Sequence, residues 1–447
     1  MVIGGGPAGY TAAVRAAQLG ATVVLIEKTR LGGACLNQAC VPTKFLRYAG
    51  SILRGIEKAG RYGIAAEVKR VDWSAMQARR QALIDDQAEG LRGLLDDYGI
   101  KVVYGEARLL KERMSSVTVA ARETRYRADK VILATGSVPL RPNIPGVKYA
   151  LSSSELLQIK DLPHRLAIVG AGPVGVELAT IFARLGTAVS LIEMLPRILP
   201  GEDAELAGML ERELKKASVS LYTAKQVRSI EKTKDRYRVV LAGDNAEVLE
   251  VDSLAMCIGQ KPHLDNLRAV GLKTNHGAIT VNRHLGTGVE GVYAAGDVTG
   301  KGMLAYVAMM QGRIAAENAL GYGSLMKYEA IPRCVFSMPE LASVGLTEEA
   351  AAAKGLRTKT GRSPFSANVA ATISNERRGL VKIVAEAASD RLLGVHILGP
   401  EAPLLIHEAA LALKMRAAVS DLQSTFHIHP SLAETLWEAA FDANGNQ

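Results

Sequence analysis

The feature that most constrains this chain is a stretch of text that occurs twice. Val2-Ile3-Gly4-Gly5-Gly6-Pro7-Ala8-Gly9 runs through an alanine-rich segment to Leu19-Gly20 and Val23-Val24-Leu25-Ile26-Glu27. Ile168-Val169-Gly170-Ala171-Gly172-Pro173-Val174-Gly175 runs through a helical segment to Leu185-Gly186 and Val189-Ser190-Leu191-Ile192-Glu193. First glycine, inner glycine and acid all move by the same 166 positions (170 − 4, 186 − 20, 193 − 27). One Gly-x-Gly-x-x-Gly is weak evidence, but two copies in register are strong. Each unit reads as strand, tight turn, helix and second strand. Gly4, Gly6 and Gly9, like Gly170, Gly172 and Gly175, let the backbone turn sharply and approach a pyrophosphate. The following helix aims its free N–H groups and positive dipole end at that group. Glu27 and Glu193 fall where the second strand ends, placed to accept ribose hydroxyls. Glu193 would repel the extra phosphate of NADP, so the second unit favours NAD; Arg197 is read as a surface residue.

At 447 residues the chain implies two to four domains. Apolar content of 48% with 22% charged residues is globular. No apolar run approaches the ~18 residues of a membrane span, and no signal peptide is legible, so neither a membrane nor export is expected. Only Met1–Ile3 precede the first glycine, against ~5–6 residues in an ordinary strand, which leaves the native start open. Four cysteines form no disulfide framework, and a cytoplasmic setting follows. The net charge of +9 is scattered, without the basic tract or aromatic stripe that nucleic-acid binding needs.

Two further segments end buried-strand patterns in small-residue turns: Lys130–Gly136, with Thr135 and Gly136, and Val292–Val298, with Asp297 just past the strand. Between the first unit and the next long helix lies Gly32-Gly33-Ala34-Cys35-Leu36-Asn37-Gln38-Ala39-Cys40-Val41-Pro42-Thr43-Lys44. Five helical residues rise ~7.5 Å, beyond the reach of a disulfide, so bridging these cysteines needs a distorted helix start. A helix N-terminus also favours the thiolate. A zinc pair would need two more ligands, and two unrelated buried thiols remain the plain alternative. Cys257 and Cys334 read as small core residues. Near the end, His427-Ile428-His429-Pro430-Ser431-Leu432-Ala433-Glu434 offers a histidine before proline with a glutamate to hold it, a candidate to move the thiol proton.

Together these segments resemble the pyridine nucleotide-disulfide oxidoreductases, and within them the dihydrolipoamide dehydrogenase branch, from Val2 to about Ala440. The resemblance implies two Rossmann-like domains, for FAD and NAD, and a C-terminal α+β dimerisation domain. Its order divides the chain into 1–146 (FAD, with the redox disulfide), 147–262 (NAD), 263–330 (completing the FAD site) and 331–447 (dimer interface). It also implies roles. Cys35 is the interchange thiol and Cys40 the flavin-side thiol of a redox disulfide. Lys44 and Glu177 pair beside the flavin, and Asp297 holds its sugar-alcohol chain. His429, oriented by Glu434, serves the disulfide of the other subunit of a homodimer.

Departures from the pattern are Ala39 for a glycine, Pro173 for a tyrosine over the nicotinamide pocket, and Tyr306 and Met338 for histidines. The expected reaction is oxidation of dihydrolipoamide by NAD. Alternatives are a stand-alone NADH-dependent reductase of another disulfide or of mercuric ion, the latter disfavoured because the tail adds no cysteine pair. A third is a flavoprotein subunit chiefly docking into a lipoyl-bearing multienzyme complex.

Overall fold

The computed structural model describes residues 1–110, 117–121, 123–243, 247–265, 267 and 271–445. Three five-stranded sheets organise the chain. The first runs in the order Val292–Ala294, Val131–Leu133, Val2–Ile3, Val24–Glu27 and Lys101–Tyr104, all parallel. The second runs Ser220–Tyr222, Ala188–Ile192, Arg165–Val169, Ser253–Met256 and Leu151–Ser152, again parallel. Parallel sheets are covered on both faces, which is why their strands are short runs of valine, isoleucine and leucine. Residues of both sheets sit in separate buried cores.

The internal repeat is preserved in detail. Helices Pro7–Gln18 and Pro173–Arg184 start and stop 166 residues apart. Ile3 pairs with Ile26 as Val169 pairs with Ile192, so the register is the same.

The third sheet is antiparallel: Arg333–Val335, Glu340–Gly345, Leu392–Gly399, Leu380–Glu386 and Thr358–Pro364. Helices Ala402–Lys414 and Glu434–Ala443 cover it and close a third core. The architecture is therefore the expected α/β arrangement with an α+β C-terminal domain. A buried ion cluster fastens the second domain to the third. Lys382, 3% exposed, meets Asp203 at 2.8 Å, Glu205 at 3.2 Å and also Glu348. Asp203 caps helix Ala204–Lys216, so removing Lys382 would strand a buried carboxylate at a cost of about 3–5 kcal/mol. Among the described residues no helix is long and apolar enough to cross a membrane.

Candidate redox and nucleotide sites

Both glycine turns are built alike. Gly4 and Gly170 have φ of +101° and +100°, a region closed to most side chains. A Cβ on Gly9 would come within 1.7 Å of the Gly4 oxygen, and one on Gly175 within 1.8 Å of the Gly170 oxygen. These glycines thus let each helix pack tightly behind its turn. Gly6 and Gly172 are the N-caps, and neither helix has a side-chain cap or an acid in its first turn. Other helices of the chain are capped, at Asp72, Asp203 and Thr347. Uncapped N–H groups at a glycine cradle are what a pyrophosphate would satisfy, so both turns fit a dinucleotide.

The acids do more than await ribose. Glu27 accepts the Gly5 N–H at 2.7 Å and the Thr29 N–H at 2.8 Å. Glu193 accepts the Ala171 N–H at 2.8 Å and the Leu195 N–H at 2.9 Å, the same three positions shifted by 166. Each buried carboxylate therefore ties its glycine turn to the second strand, a role the spacing alone did not disclose. Arg197 is half-buried rather than a free surface residue: it turns back to donate to the Pro200 carbonyl at 3.0 Å.

Strands Val131–Leu133 and Val292–Ala294 lie side by side, which brings their turns together. Thr135 donates to the His263 carbonyl at 2.7 Å, and Gly136 accepts the His263 N–H at 2.9 Å. Asp297 accepts the Ser137 hydroxyl at 2.6 Å. The charge of Asp297 is also felt by Cys35, so this acid lies at the redox loop.

The cysteines straddle a break between two helices. One helix spans Gly33–Asn37, the next Cys40–Ala59, with Gln38 and Ala39 outside helical geometry. The expected distortion is this interruption, and it places Cys40 in the first turn of a long helix. The two sulfurs are unbridged thiols that share a hydrogen bond. That bond, helped by Lys44, lowers the Cys40 thiol to about 7 despite burial. The same bond, followed by burial, raises Cys35. Of the pair, Cys40 is the thiol that ionises more readily. Among the described residues no metal-type cluster forms around them.

Lys44, one turn beyond Cys40, meets Glu177 at 2.9 Å across 133 residues of sequence. Glu177 is buried and also accepts the Phe336 N–H at 3.0 Å, while the Lys44 ammonium lies 4.2 Å from the centre of the Phe336 ring. All three domains meet at this pair. His429 and Glu434 form a separate unit. His429 Nδ1 lies 2.8 Å from Glu434 Oε1, and Glu434 Oε2 accepts the Ser431 N–H at 2.8 Å. The Ser431 N–H and then His429 hold the Glu434 carboxyl below its usual range. A carboxylate only accepts, so Nδ1 carries the proton and Nε2 points away. The His429 side chain is 69% exposed, and no hydrogen bond joins it to the cysteines among the described residues of one chain.

Sequence reasoning missed Asn37, Ser137, Gln311 and Phe336. Asn37 donates to the Leu31 and Gly33 carbonyls and so anchors the cysteine loop. Gln311, fully buried, accepts the Gly296 N–H at 2.6 Å and fixes the turn before Asp297. Asn37 had a signal, a polar residue inside the cysteine spacing. Phe336 had none, because it acts through a backbone N–H and a ring face. Cys257 is a core residue as read, and Cys334 packs against the third core while lying close enough to Lys44 and Glu177 to feel their charge.

Residues 1–312 match the family model described as pyridine nucleotide-disulphide oxidoreductase. Residues 331–440 match its dimerisation domain. The dihydrolipoyl dehydrogenase of Thermus scotoductus is 40% identical, with 98% of this chain and 96% of the relative covered. One from Bacillus subtilis is 36% identical over 99% and 98%. The crystal structure of LpdA from Mycobacterium tuberculosis is similar at TM-score 0.91 and 30% identity, covering 98% of both chains. The HOCl-induced flavoprotein disulfide reductase RclA from Escherichia coli is similar at 0.88 and 27%, again over 98% of both.

Proposed function

Because this chain belongs to the pyridine nucleotide-disulphide oxidoreductases, we propose that it oxidises dihydrolipoamide with NAD, using FAD and the Cys35–Cys40 pair. The observation that carries this reading is the hydrogen-bonded thiol pair at the start of helix Cys40–Ala59, next to the Lys44–Glu177 ion pair. Naming of full-length relatives as dihydrolipoyl dehydrogenases supports the substrate. FAD supplies a two-electron relay between the thiols and the nicotinamide.

With the cysteines bridged, a substrate thiolate attacks Cys35, and Cys40 leaves as a thiolate stabilised by Lys44. The second substrate thiol then displaces Cys35, closing the lipoamide disulfide and leaving Cys35 as a thiol. His429 of the partner subunit accepts the substrate proton, with Glu434 fixing its tautomer. Gly4, Gly6 and Gly9 with Glu27, Thr135, Gly136 and Asp297 hold the flavin nucleotide. Gly170, Gly172 and Gly175 with Glu193 hold NAD. The protein is a homodimer through its C-terminal domain. We further place it in the cytoplasm, free or docked in a lipoyl-bearing complex.

Steady-state turnover with dihydrolipoamide, glutathione disulfide, mercuric ion and quinones, each with NAD and NADP, tests the assignment. Brisk NAD-linked lipoamide turnover is expected. Negligible lipoamide activity beside fast reduction of another disulfide would replace the substrate. Co-refolded Cys35→Ser and His429→Ala chains should recover roughly a quarter of the unmodified activity if each site draws on two chains of a twofold dimer. Hybrids no better than either variant would remove His429 from the partner's site.

A further inference from the structure

One ion pair on the redox helix has no part in the chemistry above. Cys40, Lys44 and Arg47 stand at i, i+4 and i+7 of helix Cys40–Ala59 and share one face. Lys44 belongs to Glu177. Arg47, a turn further on, forms an ion pair with Glu340, the first residue of the C-terminal strand Glu340–Gly345. The two side chains are only 24% and 7% exposed. Among the described residues Arg47 Nε is buried without a hydrogen-bond partner, while Nη2 meets Glu340. The segment 333–340 grips both pairs: the Phe336 N–H donates to Glu177, and Cys334 feels the charges of Lys44, Glu177, Arg47 and Glu340. A buried ion pair is a poor device for stability alone, since desolvation offsets its attraction.

We propose that Arg47 and Glu340 are positioning residues that set the charge acting on Lys44 and the Cys40 thiolate, so that the C-terminal domain tunes how readily Cys40 ionises. The proposal rests on Cys40 being the ionising thiol at the flavin. Facing Glu340 are Arg47 from the redox helix, Glu401 at the start of helix Ala402–Lys414, and Cys334 from the neighbouring strand. Burial above all, with Glu401 adding to it against Arg47, raises the Glu340 carboxyl to about 7. The Cys40 thiol is lowered while the Glu340 carboxyl is raised, which brings the two ionisations closer together. Each new negative charge therefore opposes the other across Lys44 and Arg47. Arg47, the residue paired with Glu340, stands seven helical residues from Cys40, about 10.5 Å of axial rise. A unit charge at that range shifts an ionisation by roughly three- to tenfold in a protein.

The test uses holoenzyme reduced anaerobically with one equivalent of NADH, following the long-wavelength thiolate–flavin absorbance as pH is varied. Glu340→Gln keeps shape and removes the charge; its band should persist to lower pH, with the thiolate favoured roughly three- to tenfold over the unmodified protein. Arg47→Gln should move the titration less than about twofold, because the unpaired buried Glu340 takes a proton and stays neutral. This asymmetry is what a purely structural contact would not produce. Coincident titrations for Glu340→Gln and the unmodified protein, or equal shifts in both variants, would overturn the proposal. If Glu340→Gln fails to retain flavin, Glu340→Met with Arg47→Met replaces it, and a titration within twofold of the unmodified protein is expected. A larger shift in that pair overturns the proposal. Absence of the band in the unmodified protein would instead fail the Cys40 assignment itself.

Discussion

The two glycine turns share backbone angles, register and carboxylate bridges, yet they are covered differently. In the first, Gly6 faces Gly33 at the start of the cysteine helix, and a Cβ on Gly33 would come within 2.7 Å of the Gly6 Cα. Helix Ala305–Ala319 presses on the same unit so closely that a Cβ on Gly312 would lie 2.1 Å from the Ala8 oxygen. Ala8 is 5% exposed. In the second, no atom of the described residues lies within 4 Å of a Cβ on Gly172, and Val174, the counterpart of Ala8, is 45% exposed. One local code thus makes a roofed cradle and an open one, which suits the proposed resident flavin at the first and exchanging nicotinamide nucleotide at the second. What differs is the chain folded over each turn.

The largest effect should come from forcing the roof off. Gly312→Ala drives a Cβ into backbone that cannot move aside, so the purified protein should be colourless or insoluble. A yellow, fully loaded Gly312→Ala protein would show that the covered turn is not the flavin's. Next, Cys35→Ser should cut lipoamide turnover by about a thousandfold or more, as loss of a nucleophile does. The same variant should still pass electrons from NADH to a dye, since both turns are intact. Loss of dye reduction as well would mean the cysteine loop supports the nucleotide sites and not only disulfide exchange.

Gly172→Ala sharpens the comparison from the open side. The protein should stay yellow and stable, with KM for NADH raised about tenfold as the new methyl occupies the pyrophosphate's approach. An unchanged KM would detach this turn from NAD. Smaller still, Glu193→Gln should narrow the NADH-over-NADPH preference by about threefold to tenfold, while Glu27→Gln should instead quicken FAD loss on dilution. Finally, the Cys40 thiol is lowered to about 7, so its thiolate predominates above that pH. The thiolate–flavin absorbance should fade as pH drops through about 7 and hold steady above about 8. A band unchanged down to pH 5 would place the stabilising charge elsewhere.

Much of this molecule is legible in its sequence. The repeat located both parallel sheets, because a glycine needing φ near +100° and a helix packed within van der Waals contact of its turn are demands of neighbouring residues on one another. The cysteine spacing called for a distorted helix start if the two were to bridge, and Gln38 and Ala39 are where the helix breaks. The pairing of His429 with Glu434 followed from five residues of text. What only the tertiary structure decided lies where distant segments meet. Lys44 and Glu177 stand 133 residues apart, Phe336 closes over them by a backbone N–H, and Arg47 finds Glu340 in another domain. No periodicity marks such contacts, since they arise from how separately folded cores dock. The roof over one turn and its absence over the other belong to the same class: chain conformation is a local property, but burial depends on everything folded against it.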